Sequence, residues 1–178
     1  MPSIVLTGGP GAGKTTLLGE LARLGHKTVD ESARAIIAER LAKGLSRRPA
    51  PLEFAREILA RDIDQYERES KGPGWTFFDR GPIEALGMVH AHAPFPEAEL
   101  RYLLSKFAFS NPVFVLPPWE EIYTTDSERD QTFEESVRVH AEITGWYRRC
   151  GYAVHDVPRL PPERRAEHVL DVLARGTA

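Results

Sequence analysis

Residues 4–18 read Ile4-Val5-Leu6-Thr7-Gly8-Gly9-Pro10-Gly11-Ala12-Gly13-Lys14-Thr15-Thr16-Leu17-Leu18. The leading apolar run fits a strand buried on both faces, as in a parallel sheet. Gly8 to Thr15 satisfy G-x-x-x-x-G-K-[ST] in full. Leu17, Leu18, Leu21 and Leu24 then recur at helical spacing, and Gly25 is placed to stop that helix. Strand, glycine-rich turn and helix form the context in which this pattern cradles phosphate. The glycines let backbone N–H groups curl around phosphate oxygens with no Cβ in the way. The helix start adds unpaired N–H groups and its positive dipole end. Lys14 reaches the β- and γ-phosphates, and the Thr15 hydroxyl ligates Mg²⁺. The nucleotide-binding candidates are therefore Gly8, Gly9, Pro10, Gly11, Ala12, Gly13, Lys14, Thr15 and Thr16.

Outward from this stretch, strands and helices alternate. Lys27-Thr28-Val29 reads as a second strand, followed by a helix from about Glu31 to Ala42 with Ala33, Ile37 and Leu41 on one face. After a loop over Lys43 to Pro51, a helix from Leu52 to Glu69 carries Leu52, Ala55, Leu59, Ile63 and Tyr66 in steps of three and four. Trp75 to Phe78 is a third strand, and Pro82 suits the first turn of the helix after it. A helix over Pro96 to Phe107, a strand over Pro112 to Leu116, a helix marked by Phe133, Val137, Ala141, Thr144 and Tyr147, a strand over Tyr152 to Val154, and a last helix after Pro161-Pro162 complete the pattern. The alternation argues an α/β fold with a parallel sheet covered on both faces.

The chain has 178 residues, the length of one domain, and a net charge of −3. That balance argues against a dedicated nucleic-acid binder, and no nucleic-acid partner is expected. Cys150 is the only cysteine, so an internal disulfide or a cysteine-based zinc site is excluded. His90 and His92 read as surface or cap residues. No apolar run is long enough for a membrane span, and the N-terminus lacks a signal-peptide pattern, so the expected compartment is cytoplasmic.

Three further features carry chemistry. Asp79 ends the third strand, where ligands bind in open α/β sheets, and suits a Mg²⁺ contact through water; Arg80 follows it. Glu31 and Arg34 are three apart and share a helical face, with Glu31 able to take a hydroxyl proton and Arg34 to bind a phosphate or carboxylate. An i,i+3 surface ion pair would give the same spacing. Arg129 lies in the polar, aperiodic stretch Trp119 to Gln131, which reads as a loop able to close over a transferring phosphoryl group.

With these residues in view, the chain resembles a small P-loop kinase of the nucleoside/nucleotide kinase-like group. GGPGAGKTT matches the group's phosphate loop, FFDRG (77–81) is similar to its Asp-Arg motif, and VDESAR (29–34) is similar to its acidic segment after the second strand. Glu128-Arg129-Asp130, Gly151-Tyr152, Val157-Pro158 and Arg164-Arg165 look closest to the AAA-like ATPase/kinase family that includes the ribosylnicotinamide kinase domain. The resemblance implies a three-layer αβα P-loop NTPase fold with a five-stranded parallel sheet in the order 2-3-1-4-5, and a lid at about residues 119–132 of a single domain. It implies ATP and Mg²⁺ as cofactors, a small-molecule acceptor, Asp79 and Arg80 facing metal and phosphates, and Glu31 as the base. The segment from Val157 and Pro158 to Leu160 would border the adenine. Gly81 stands after Asp-Arg where many such kinases carry a hydroxyl or aromatic residue. The implied activity is transfer of a γ-phosphoryl group to an acceptor. The rival reading is a nucleotide-binding ATPase or GTPase switch, disfavoured by the lack of an Asn/Thr-Lys-x-Asp guanine motif.

Overall fold

A computed structural model describes residues 2–72, 74–124 and 131–176. The order of elements is β1 (Ser3–Gly8), α1 (Lys14–Arg23), β2 (Lys27–Val29), α2 (Ser32–Ala42), α3 (Pro51–Glu69), β3 (Thr76–Asp79), α4 (Pro82–His92), α5 (Glu97–Lys106), β4 (Val113–Leu116), α6 (Phe133–Arg149), β5 (Val154–Asp156) and α7 (Pro162–Gly176). A short 3₁₀ turn covers Glu120–Ile122. The five strands form one sheet in the order β2-β3-β1-β4-β5, and every pairing is parallel.

Alternation along the strands divides the core in two. Ile4, Leu6, Phe77, Phe114 and Leu116 point to the face covered by α1 and α7, where Leu17, Leu21, Val169 and Leu173 meet them. Val5, Phe78, Val113 and Val115 point to the opposite face and pack with Ile83, Leu86, Ile143 and Tyr147 of α4 and α6. Burial on both faces is why the inner strands read as unbroken apolar runs. With β1 in the centre, its C-terminal end delivers the glycine-rich turn to the middle of the sheet edge, where α/β proteins bind ligands.

Several helix faces differ from the sequence expectation. In α2 the buried residues are Ser32, Ile36 and Ile37, and Leu41 is exposed. The helix is packed on α3 and not on the sheet: Ile36 and Ile37 cluster with Phe54, Ile58 and Ala85. In α6 Val137 and Ala141 face outward, and Ser136, Ile143, Thr144 and Tyr147 face inward. A capping box sets that rotation: Thr132 Oγ1 accepts from Glu135 N at 3.2 Å, and Glu135 Oε2 accepts from Thr132 N at 2.7 Å. Strand β5 begins at Val154, two residues later than its apolar content suggests, because Val113 pairs with Val154 and the Asn111 side chain accepts from Ala153 N. As an edge strand it tolerates His155 and Asp156.

Candidate active site: a phosphate loop facing a cluster of ion pairs

The turn between β1 and α1 is glycine-rich by necessity at its close approaches. Gly8 has φ of +142°, and a Cβ there would lie 2.4 Å from the Leu116 carbonyl oxygen. At Gly9 a Cβ would lie 2.4 Å from the Ser136 carbonyl oxygen. The Ser136 hydroxyl donates to Pro10 O at 2.6 Å, so α6 holds the turn from the side. From α7, the buried Arg165 donates to Ala12 O at 3.3 Å and stands over the Trp119 ring at 5.6 Å. Gly13 caps α1 with left-handed backbone and no side-chain cap, which leaves the first N–H groups of that helix for a ligand.

Lys14 is buried, with Nζ donating to Gly8 O at 3.3 Å and Gly9 O at 3.2 Å. Lys14 does not project into solvent: the ammonium folds back over its own loop. Burial, reinforced by Arg80, pushes its pKa below the usual lysine value. Thr15 and Thr16, the next two residues, line the same cavity and are exposed.

Asp79 ends β3 beside β1, in register with Leu6. It is buried, and its Oδ1 has no hydrogen-bond partner. Burial pushes its carboxyl up to about 7, against the pull of Lys14. Arg80, at φ of +69°, bends away from the strand and is tied three ways. It donates to Gly8 O at 3.1 Å, pairs with Glu31 at 3.1 Å, and donates to Glu84. Burial opposes its charge, but Glu84, Glu31 and Asp79 together hold its pKa above the usual value. Glu84 also accepts from the Thr7 hydroxyl.

Sequence spacing pairs Glu31 with Arg34, and that contact exists at a long 3.9 Å. The tighter partner is Arg80, brought in by β3. Burial raises the Glu31 carboxyl, but Arg80, Lys14 and Arg34 outweigh it and hold it below its ordinary pKa. Lys14, Glu31, Arg34 and Arg80 all line one cavity of about 1130 Å³. Val157 and Pro158 do not line it: Val157 is in the core beside Ala12, and the next residues, Arg159, Leu160 and Pro161, form the wall instead. Arg129 lies outside the described residues. The described part of its segment packs near the phosphate loop, with Tyr123 donating to Gln131 O and its ring where a Gly11 Cβ would fall. Of the two histidines read as surface or cap residues, His92 is exposed, and His90 is half-buried at the cavity, its Nδ1 accepting from Phe95 N at 3.1 Å.

Two residues of the site escape a reading by sequence. Glu84 is a carboxylate one turn into an apolar helix, and Asp62 is a carboxylate four residues beyond Ile58 on the buried face of α3. Both are nearly fully buried and both line the cavity. A charge on an otherwise apolar helical stripe is the signal that could have found them.

A phosphate loop at the end of the first strand, inside a parallel sheet of order 2-3-1-4-5 and facing an Asp-Arg pair from the third strand, defines a P-loop αβα fold, one that solved kinase structures share. The AAA domain family matches residues 3–165, and the chain belongs to that family. Among solved structures, it is similar to the NadR protein in complex with NR, at 22% identity and a TM-score of 0.69, covering 98% of this chain and 51% of that one. The chain thus spans about half the length of that protein. It is also similar to deoxyadenosine kinase from M. mycoides with bound dATP (14% identity, TM-score 0.66, 98% and 100% covered). A third likeness is to shikimate kinase from Acinetobacter baumannii in complex with shikimate (19%, 0.58, 99% and 94%). No curated protein sequence matches. Among the described residues, no helix is long and apolar enough to cross a membrane.

Proposed function

We propose that the protein is an ATP·Mg²⁺-dependent phosphotransferase that moves a γ-phosphoryl group to a small acceptor carrying a hydroxyl or phosphate. The observation that carries this reading is the meeting of Lys14 and the phosphate loop with Glu31, Arg34 and Arg80 at one cavity. Phosphoryl transfer needs positioning and charge neutralisation more than covalent chemistry, and this set supplies both. The backbone N–H groups at the start of α1 hold the phosphates. Lys14 exchanges its two carbonyl contacts for phosphate oxygens. Glu31, kept ionised by Arg80, accepts the acceptor's proton, and Arg34 orients the acceptor from the same face.

Mg²⁺ fits the residues present: the Thr15 hydroxyl opens on the cavity, and the unpartnered Oδ1 of Asp79 is a buried acceptor in need of a donor or a bound water. When bound, the ion would neutralise phosphate charge. Residues 119–132 would close over the nucleotide, with Arg129 meeting the charge that develops in transfer. Arg159 and Leu160, with Trp119, would border the base.

The test is ADP release from ATP·Mg²⁺ with and without a panel of nucleosides, nucleotides and small alcohols, with the phosphorylated product identified by mass. Acceptor-dependent release is expected. Slow release that no acceptor changes would replace this reading with that of a regulatory switch.

A further inference from the structure

Beyond the phosphate loop the cavity continues as a groove with α4 as its floor. Glu84, Ala85, Met88 and Ala91 line it, a run of about 10 Å along the helix axis. One wall is Ile37 of α2 with Phe54, Ile58 and Asp62 of α3; the other is Ile143 and Trp146 of α6. Trp146 is fixed there, its Nε1 donating to Ile83 O at 2.7 Å and its ring lying where a Cβ on Gly87 would come within 2.8 Å.

The polarity of the groove is graded in the same direction on two helices. Along α3 the stripe runs Asp62, Ile58, Phe54; along α4 it runs Glu84, Ala85, Gly87, Met88, His90, Ala91. Ala85 packs with Ile58 and Phe54, which aligns the two stripes. Each stripe therefore places a carboxyl at the end beside Glu31 and Arg80 and mostly carbon beyond it, the other polar side chains that α4 and α6 give the cavity being His90, Glu142 and Arg149. Asp62 has no structural need to be there. It is 5% exposed, it faces the like charges of Glu84 and Glu31, and the Arg80 guanidinium is already engaged by those two. Its hydrogen bond is with Ser32, whose single hydroxyl proton is shared with Gln65 Oε1 at 3.0 Å. A carboxyl maintained at that cost on the wall of a cavity fits recognition of a ligand donor. Among the described residues, α2, α3, α4 and α6 contribute no side-chain amide to the groove.

We propose, resting on the phosphotransferase reading, that the acceptor is an amphipathic alcohol: its reacting hydroxyl and a second donor beside it meet Glu31 and Asp62, and an apolar alkyl or aryl body lies along α4 between Ile58 and Trp146. Apolar burial makes each added methylene worth about fourfold in affinity while the groove lasts.

The test is calorimetric binding to the ADP-loaded protein, using a vicinal series of glycerol, butanediol, hexanediol and phenylpropanediol, with adenosine and uridine as comparators. Affinity is expected to climb along the series and to exceed that of both nucleosides. Met88→Glu should weaken phenylpropanediol by about tenfold or more, with ADP affinity within about twofold of wild type. Asp62→Asn should erase the preference for hexanediol over hexanol. A flat series, tighter glycerol or nucleoside binding, or indifference to Met88→Glu would overturn the proposal while ADP binding stands. Failure of ADP to bind at all would remove the phosphotransferase reading and this one with it.

Discussion

The Ser136 hydroxyl and the Pro10 carbonyl, 126 positions apart in the chain, form a buried 2.6 Å hydrogen bond that joins α6 to the phosphate loop. The same serine's backbone lies where any Cβ on Gly9 would have to go. Loop shape is therefore set from outside as well as by its glycines. Ser136→Ala should leave the Pro10 carbonyl without its partner and cost about 1 kcal/mol of stability. The looser loop should bind ADP several-fold more weakly. Gly9→Ala should do much more damage, since the backbone of α6 cannot retreat by an ångström. Calorimetric ADP titration with thermal unfolding of both variants checks this; equal effects of the two substitutions would show that the loop is not held by α6.

Lys14 makes its contacts with the carbonyls of Gly8 and Gly9 at the cost of burying a cation. Lys14→Ala removes that burden from the fold and the charge from the phosphates. The melting temperature should change little, because relief of the buried cation is offset by its lost pull on Asp79 and Glu31. ATP affinity should fall by about 10- to 100-fold, the equivalent of roughly 1.5–3 kcal/mol for a charge-assisted contact. Acceptor-dependent turnover should fall further, since the phosphoryl charge is stabilised most in transfer. Near-normal turnover by the folded variant would remove Lys14 from the site.

Glu31 is tied to Arg80, and Arg80 keeps two other partners, Glu84 and Gly8 O. Glu31→Gln can therefore remove the base without releasing the arginine. We expect kcat to drop by about 100-fold or more, in the range of general-base losses, with ATP affinity near that of wild type. Arg80→Ala is the contrasting case. It leaves the buried Glu84 without its cation, and about 3–5 kcal/mol of stability should be lost. If Glu31→Gln instead weakens ATP and leaves acceptor kinetics alone, Glu31 belongs to the donor half of the site.

The phosphate loop, the inner strands and the last helix are legible in the sequence because each rests on local signals: a dense glycine pattern, apolar runs of strand length, and Ala166, Val169 and Leu173 at helical spacing; the strand order is implied by the family resemblance and not by any local signal. Less legible is anything decided by a partner far along the chain. The Glu31–Arg34 pair is a correct local reading that a distant residue outranks, since β3 carries Arg80 to within 3.1 Å of Glu31. In α3 the stripe of Leu59, Ile63 and Tyr66 does pack against the sheet-side cluster. A second stripe, Phe54, Ile58 and Asp62, faces α2 and the cavity, and a helix buried on two sides hides its second face from a single periodicity. Val157 illustrates a different limit: just past β5 its N–H pairs with Val115 O and its side chain turns into the core, two residues before the chain reaches the cavity wall at Arg159.

Asp62 offers the cleanest pH test because its environment is apolar and its neighbours are acidic. Burial pushes its carboxyl up to about 7, with Glu84 and Glu31 adding to the shift and Ser32 and Arg80 opposing it. In the unfolded chain an aspartate titrates near 3.9. The folded pKa is the higher one, so folding favours the protonated form. Below about pH 4 both states hold the proton and Asp62 costs nothing. As pH rises from about 4 toward 7, the unfolded state sheds its proton first and the fold loses stability, by a few kcal/mol at most. Above about 8 both states are ionised and the loss is complete. Asn at this position keeps the shape and never ionises. Asp62→Asn should therefore melt with the wild type near pH 4 and melt several degrees above it at pH 8. Thermal unfolding at a series of pH values reads the difference directly. A gap that is constant with pH would mean that Asp62 titrates normally and that its burial is tolerated by some other means.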